Sequence, residues 1–253
     1  MKTIALLNQK GGVGKSTTVV NLMDYFTRAG KRVLGIDIDS QGHLSKLCSV
    51  NTDGENTVKE LLSGEATFAE TVKQTRFGDV IPADNNLQLA ILQFAMLPDF
   101  MYSIKDILEG QAQNYDIVLI DCPPGINVIT VSALVATDYV IIPSEVEYCS
   151  LDGVTQLADT INQVKRRTNP ALKVLGILLV KYNARRKLTH ALEEVLESKG
   201  KEIFNASVLP VKVRNSVDIP VAQALKKSIF EYKPNSAVAQ EYKELGNYIA
   251  KEI

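Results

Sequence analysis

The feature that most restricts the fold of this chain is a glycine-rich loop near its start. Residues 3–18 read T-I-A-L-L-N-Q-K-G-G-V-G-K-S-T-T, so an apolar run leads into the loop and a helical pattern begins at Ser16. Glycines between a strand and a helix let successive N–H groups point at one anion, and the helix N-terminus adds partial positive charge. The sequence therefore predicts a phosphate-binding loop formed by Gly11, Gly12, Val13 and Gly14.

The loop departs from the usual pattern G-x-x-x-x-G-K-[ST] at its beginning. Gly14, Lys15 and Ser16 fit its end, but Gln9 stands where the first glycine is expected, and Lys10 adds a second cation. We expect Lys15 to lie along the β- and γ-phosphates of a nucleotide and the Ser16 hydroxyl to reach Mg²⁺.

Short apolar runs alternate with helical patterns along the rest of the chain. The runs are T-I-A-L-L-N, R-V-L-G-I-D-I-D, Y-D-I-V-L-I-D, Y-V-I-I-P and K-V-L-G-I-L-L-V, and helical segments are expected at 16–29, 127–136, 151–167 and 188–198. Strands that are apolar on both faces belong inside a parallel sheet covered by helices. The sequence predicts one α/β domain over residues 1–253, with a doubly wound, mostly parallel sheet flanked by helices, as in P-loop NTPases.

Two predicted strands end in aspartates. Asp121 closes Y-D-I-V-L-I-D, and Asp39 follows G-I-D-I-D, with Asp37 two residues earlier. Ligands of open parallel sheets bind at the carboxyl ends of the strands, so both ends should face the glycine loop. We expect Asp121 to hold Mg²⁺ and Asp39, rather than Asp37, to orient the attacking water near the metal.

Composition narrows the class of protein. No apolar run approaches the ~18 residues that span a membrane, and Cys48, Cys122 and Cys149 are too widely separated for a CxxC motif. We therefore expect a cytoplasmic protein without a disulfide framework. The first 126 residues carry 11 Lys/Arg against 15 Asp/Glu and the remainder 17 against 14, a weak indication that the second half has an acidic partner.

Four motifs together resemble the ParA family of DNA-partition ATPases. They are N-Q-K-G-G-V-G-K-S-T-T, I-D-I-D-S-Q-G, I-V-L-I-D-C-P-P and P-S-E-V-E-Y-C-S-L-D-G. In this group, which includes MinD and the nitrogenase iron protein, K-G-G-x-G-K-[ST] is the intact loop. The resemblance implies an ATP- and Mg²⁺-dependent homodimer in which Lys10 reaches the partner subunit's phosphates. Such a cation delivered in trans can neutralise charge developing in the transition state.

The resemblance also assigns individual residues. Asp39 matches the water-activating aspartate and Asp121 the aspartate beside Mg²⁺. Thr17 matches a residue close to the α-phosphate, while Asn183 and Pro210 fall where the family contacts or passes the base. Ser40 and Glu145 depart from the pattern, since proline and glutamine are usual there.

The family's binding to DNA of any sequence requires cations but no groups that read bases. Arg214 resembles an arginine with this role, and Lys212 and Lys233 are further candidates. Other nearby cations are Arg185, Arg186, Lys187, Lys226 and Lys227. Ala237 stands where an arginine is common, so that position contributes nothing to DNA binding.

The resemblance implies a ParB-like activator and a nucleoid-associated location. Since the sequence begins at the loop, we expect no operator-specific binding, and the character of the final segment leads us to expect no membrane partner. Three alternatives stay open: a MinD-like membrane-cycling ATPase, an iron–sulfur reductase using Cys122 and Cys149, and a binding module or ligase built on the same loop. The final segment, rich in Tyr, Leu and Ile on one side, favours a helix docked on the body over a membrane-binding helix.

Overall fold

A single seven-stranded sheet forms the centre of the structure. The computed structural model describes residues 1–147, 150–185 and 187–253, and their side chains except those of 150–154, 187 and 188. The strands are β1 (Lys2–Leu6), β2 (Val33–Asp37), β3 (Lys73–Thr75), β4 (Gly78–Ile81), β5 (Ile117–Asp121), β6 (Tyr139–Glu145) and β7 (Lys173–Val180). Their order is β3-β4-β2-β5-β1-β6-β7, and only the β3–β4 pair is antiparallel. The predicted doubly wound, mostly parallel sheet is confirmed.

Helices cover both faces of this sheet. They are α1 (Lys15–Arg28), α2 (His43–Leu47), α3 (Val58–Ser63), α4 (Phe68–Thr71), α5 (Leu87–Phe94), α6 (Ser103–Glu109), α7 (Val128–Val135), α8 (Ser150–Arg167), α9 (Lys187–Phe204), α10 (Asp218–Ala224), α11 (Ile229–Tyr232) and α12 (Ala237–Glu252), with a 3₁₀ turn at Phe100–Tyr102.

The five strands expected from the apolar runs are present, whereas β3 and β4 were not predicted. Both are short, β3 lies at the edge of the sheet with β4 next to it, and β3 reads only K-Q-T, which carries no apolar signal. Helix α9 continues six residues past its predicted end because Gly200 does not interrupt it. A Cβ at Gly200 would lie 2.7 Å from the Ala206 carbonyl oxygen, so the glycine serves a close approach of two segments.

Alternation along the strands divides the core into two layers. Ile4 and Leu6 of β1 pack with α1 and α12 on one face, while Ala5 and the following Leu7 pack with α7 and α8 on the other. Successive side chains of a strand point to opposite faces, so a strand buried on both sides must be apolar at every position.

The carboxyl ends of the central strands meet at one edge. The glycine loop follows β1, and Asp37 and Asp121 are register partners at the ends of the adjacent strands β2 and β5. β6 and β7 end beside them at Glu145 and Val180. This edge holds the candidate site.

Candidate functional site

The glycine loop between β1 and α1 is shaped to accept an anion. Gly12 and Gly14 have φ angles of 75° and 76°, a left-handed conformation that favours glycine. A Cβ built on Gly11, Gly12 or Gly14 would meet nothing within 4 Å, so the space above the loop is open. No side chain caps the N-terminus of the fourteen-residue α1 among the described residues. Its first N–H groups are therefore available to a ligand.

Lys15 lies inside this cradle. Its side chain is buried, and its ammonium donates to the carbonyl oxygens of Asn8 and Lys10, both at 3.3 Å. Burial lowers the pKa of Lys15, and the negative charges of Asp121 and Asp39 oppose this shift. Within the described part of the chain no carboxylate lies in salt-bridge distance of it. The ammonium is held in place and lacks a close counter-ion, as a phosphate-binding cation requires.

Asp121 is the least satisfied polar group in the site. Both of its carboxylate oxygens are fully buried and have no hydrogen-bond partner among the described residues. Burial raises its pKa well above the ordinary value, the charge of Asp37 adds to the rise, and the nearby Ser16 hydroxyl and Lys15 oppose it. A buried carboxylate without partners is a ready ligand for a hard cation. The donor set therefore fits Mg²⁺ placed between Asp121 and Ser16.

Asp37, the last residue of β2, and Asp39, two residues later, occupy different environments. Asp37 accepts hydrogen bonds from the Asp39 N–H at 3.1 Å, the Ser45 N–H at 2.9 Å and the Ser45 hydroxyl at 2.7 Å. Asp39 lines the cavity in front of the loop, and one of its oxygens accepts from the Gln41 N–H at 3.0 Å. Only Asp39 therefore faces the space where phosphates would lie. Its role toward a water molecule stays a prediction.

The Lys10 ammonium lies in an acidic cluster. Its ammonium lies 2.7 Å from Glu147 and 3.6 Å from Glu145, and the hydrogen bond to Glu147 is the main cause of its raised pKa. Glu145 also binds Lys181 at 2.6 Å, and Lys181 donates to the Gly12 carbonyl oxygen at 2.9 Å. The departure from glutamine at position 145 thus supplies a charge that holds two lysines beside the loop.

A cavity of about 620 Å³ opens in front of the loop, and residues from the C-terminal third form its other wall. That wall comprises Val180, Lys181, Val213, Arg214, Asn215, Ser216, Ile219, Pro220, Gln223 and Tyr242. The loop residues of the cavity are those predicted, except Val13, which is buried in the core. Most residues of this wall were not predicted from the sequence, because they lie some 200 positions after the loop and no motif marks them.

The two residues predicted beside the base do not line this cavity. Asn183 is half-buried, and its side-chain oxygen accepts from the Arg185 N–H at 3.1 Å, forming a local turn. Pro210 is exposed. The chain first reaches the cavity wall three residues later, at Val213, so the apolar wall for a base is built from different residues. A direct role for Asn183 or Pro210 stays a prediction.

Each predicted DNA-binding cation has an acidic partner. Arg214 lies 2.6 Å from Glu241, Lys233 lies 3.0 Å from Asp218, and Lys212 pairs with Glu193. Arg186 lies outside the described residues, as does the side chain of Lys187.

Lys226 and Lys227, between α10 and α11, are exposed. In the described residues neither ammonium has an acidic partner. These two lysines are the free basic pair in this region.

The structure bears on two of the alternative functions, the MinD-like ATPase and the iron–sulfur reductase. Helix α12 buries Val238, Tyr242, Leu245 and Ile249 in the core, as the sequence indicated, and no described helix is long and apolar enough to cross a membrane. Cys122 is fully buried, and burial raises the pKa of its thiol. Cys149, the other cysteine of the iron–sulfur alternative, lies outside the described residues.

Comparison with known proteins places the chain among partition ATPases. A family model described as an AAA domain matches residues 1–174. The sporulation initiation inhibitor protein Soj of Bacillus subtilis is 37% identical over 98% of each chain. The chromosome partitioning protein ParA of Caulobacter vibrioides is 35% identical over 98% of this chain and 94% of its own.

A solved structure with a similar fold is cobyrinic acid a,c-diamide synthase of Mycobacterium smegmatis with bound ADP and magnesium. It is 29% identical, covers 100% of this chain and 95% of its own, and superposes with a TM-score of 0.86. A synthase therefore shares the fold of this chain, whereas the relatives found by sequence are partition proteins. The resemblance predicted from the four motifs is confirmed: the chain belongs to the Soj/ParA family of chromosome-partitioning ATPases.

Proposed function

We propose that this chain binds and hydrolyses MgATP in the cavity, dimerises around the nucleotide and binds DNA without sequence preference. A ParB-like activator would stimulate hydrolysis and so release the DNA. Two groups beside the glycine loop, one cationic and one anionic, support the proposal that the cavity binds a nucleotide. Among the described residues Lys15 has no carboxylate in salt-bridge distance and the Asp121 oxygens have no hydrogen-bond partner, and a nucleotide with its metal would supply both.

Different residues of the site would bind the phosphates, the metal and the attacking water. The N–H groups of Gly11–Thr17 and the Lys15 ammonium bind phosphate oxygens, while Ser16 and Asp121 hold Mg²⁺. The metal, when bound, neutralises charge on the phosphates during transfer to water. Asp39, at the cavity edge, accepts a hydrogen bond from the water and orients it. A site of one or two side chains suits Mg²⁺, and the described residues hold no cluster of three or more acidic, His or Cys side chains suited to a metal.

Lys10 would complete the site of a second copy. In the free subunit it is bound to Glu147 and Glu145 and is only 37% exposed. Exposed ion pairs are worth about 0–1 kcal/mol, so a partner subunit's polyphosphate can compete for this ammonium. In the free subunit Glu147 and Glu145 neutralise Lys10, and in the dimer the nucleotide of the second copy would supply the opposing charge instead.

DNA binding would use the basic surface of the last third. Arg214, Lys212 and Lys233 are all in pairs that are at least partly exposed, which phosphates can replace. Lys226 and Lys227 need no such exchange, so we add them to the predicted contacts. Contacts of this kind bind phosphate and not base edges.

The proposal is tested by binding to random-sequence duplex DNA at one low salt concentration, with MgATP, with MgADP and without nucleotide. We expect binding with MgATP alone. Arg214→Ala should weaken it on every sequence. Equal binding in all three states would contradict nucleotide control, and no binding would make anionic vesicles, the surface of the MinD-like alternative, the next ligand to test.

A salt titration identifies the contacts. The double variant Lys226→Ala/Lys227→Ala should reduce the slope of log K against log salt by about 2, because each phosphate contact contributes about 0.9. The matched control is Lys165→Ala/Arg167→Ala at the end of α8, which packs on the opposite face of the sheet. That control should leave the slope unchanged; equal slopes for both variants would remove Lys226 and Lys227 from the interface.

A further inference from the structure

Helix α10 touches the phosphate loop through one side chain whose role no motif suggested. The amide nitrogen Nε2 of Gln223 donates to the hydroxyl oxygen of Thr17 at 2.7 Å, across 206 positions of sequence. Both residues line the cavity, and the Thr17 side chain is otherwise buried. The contact joins the first turn of α1 to the opposite cavity wall.

The direction of this hydrogen bond has a chemical consequence. A threonine hydroxyl has one proton and two lone pairs. Because Gln223 donates to it, a lone pair of Thr17 is occupied and its single proton stays free to be donated elsewhere. The nearest use for that proton is an acceptor inside the cavity, such as a phosphate oxygen above the loop.

The surroundings hold Gln223 in this position. Ala222, its neighbour on α10, is buried in the core. Asn21 of α1 accepts from the Ile229 N–H at 2.8 Å, and Asp24 of α1 accepts from the Ser228 hydroxyl. These contacts anchor the α10–α11 segment along α1, so the Gln223 amide does not depend on a mobile loop.

We propose that Gln223 is a positioning residue that sets the Thr17 hydroxyl as a hydrogen-bond donor to a phosphate of the bound nucleotide. This inference rests on the proposed nucleotide binding and deepens it. Gln223 acts through Thr17 and need not touch the nucleotide. Since the effect concerns a phosphate common to both nucleotides, it should be equal for ADP and ATP.

The test replaces the amide by a group of almost the same size that cannot donate. In Gln223→Glu the carboxylate would accept the Thr17 proton, and its charge would face the phosphates. We expect the affinity for ADP, measured without turnover by calorimetry at pH 8, to fall about tenfold to a hundredfold, as for a lost hydrogen bond to a charged group. The thermal unfolding midpoint of the nucleotide-free variant checks that it folds.

A pH series separates positioning from simple packing. On lowering the pH from 8 to about 5.5, the new carboxyl group should take up a proton, because partial burial and the facing phosphate charge of bound ADP both raise a carboxyl pKa from its reference of about 4.3. The protonated acid can again donate to Thr17, so ADP affinity should recover relative to wild type. Gln223→Met, which has similar length and no donor, should show a smaller loss and no recovery.

Three outcomes are informative. Wild-type affinity in Gln223→Glu, or a loss independent of pH, would overturn the positioning role. A Thr17→Val background should reduce the pH-dependent part of the Gln223→Glu effect to the share that comes from charge repulsion; a pH-dependent part that is undiminished in this background would also overturn the positioning role. Absence of ADP binding by the wild-type protein itself would instead refute the proposed function, and this inference with it.

Discussion

Replacing the unsatisfied carboxylate of Asp121 should raise the stability of the protein and abolish its activity. Asp121→Asn removes the charge from a fully buried position where neither oxygen has a hydrogen-bond partner among the described residues. We expect the nucleotide-free variant to be more stable than wild type, and ATP hydrolysis to be lost because the amide cannot serve as an anionic ligand for Mg²⁺. Active-site groups often reduce stability in this way.

The magnitude follows from the charge, because the asparagine amide would itself be a buried polar group without a partner. Each unit by which burial raises the folded-state pKa of Asp121 corresponds to about 1.4 kcal/mol of cost to the charged form. For a chain of this size, each kcal/mol shifts the unfolding midpoint by about 2–4 °C. We therefore expect the midpoint of the nucleotide-free Asp121→Asn variant to rise by several degrees.

The gain should also depend on pH in a defined direction. The pKa of Asp121 is raised in the folded protein, so the folded state binds a proton more readily than the unfolded chain. Its contribution to stability is therefore present at low pH and lost as the pH rises through the folded-state pKa, with a slope of at most about 1.4 kcal/mol per unit. Asparagine does not titrate, so the advantage of Asp121→Asn should grow with pH.

The assay is thermal unfolding from pH 6 to 9, with Asp37→Asn as the matched control. Asp37 is the register partner of Asp121 and equally buried, but it accepts hydrogen bonds from Asp39 and Ser45. Whichever way an asparagine amide turns there, a main-chain N–H would face an NH₂ group, which costs about 1–3 kcal/mol. Burial also raises the pKa of Asp37, to about 7, but the hydrogen bonds from Ser45 and Asp39 limit the rise, so Asp37→Asn should gain less than Asp121→Asn. An Asp121→Asn midpoint at or below wild type, or an equal gain for Asp37→Asn, would refute the reasoning.

Two further predictions concern packing and dimerisation. Gly246→Ala should destabilise the protein by about 1–3 kcal/mol in denaturant unfolding, because the new Cβ would lie 2.3 Å from a tyrosine ring of α1. Gly110→Ala is the control, and it should be nearly neutral because the atom nearest to its new Cβ is 3.6 Å away. On an Asp39→Ala background, in which we expect hydrolysis to be blocked, Glu147→Gln should release Lys10 and increase ATP-dependent dimerisation up to about fivefold by analytical ultracentrifugation. Unchanged or weaker dimerisation would show that the pair does not restrain Lys10.

The sequence alone determined the parts of this protein that depend on consecutive residues. The glycine loop, the five buried strands and the aspartates at their ends were predicted because each is a local pattern. Loop conformation needs only neighbouring residues, and a strand buried on both faces is recognisable by its uninterrupted apolar run. The short polar strands β3 and β4 lacked such a pattern and were missed.

Tertiary structure determined which of these groups are paired and which are free. Asp37 and Asp121 look alike in sequence, yet Ser45 satisfies the first and nothing among the described residues satisfies the second. The acidic partners of Arg214 and the Gln223–Thr17 contact likewise join segments far apart in the chain. Hydrogen bonding and burial depend on neighbours in space, and these neighbours are set only when the strands pair and the helices pack against them and against each other.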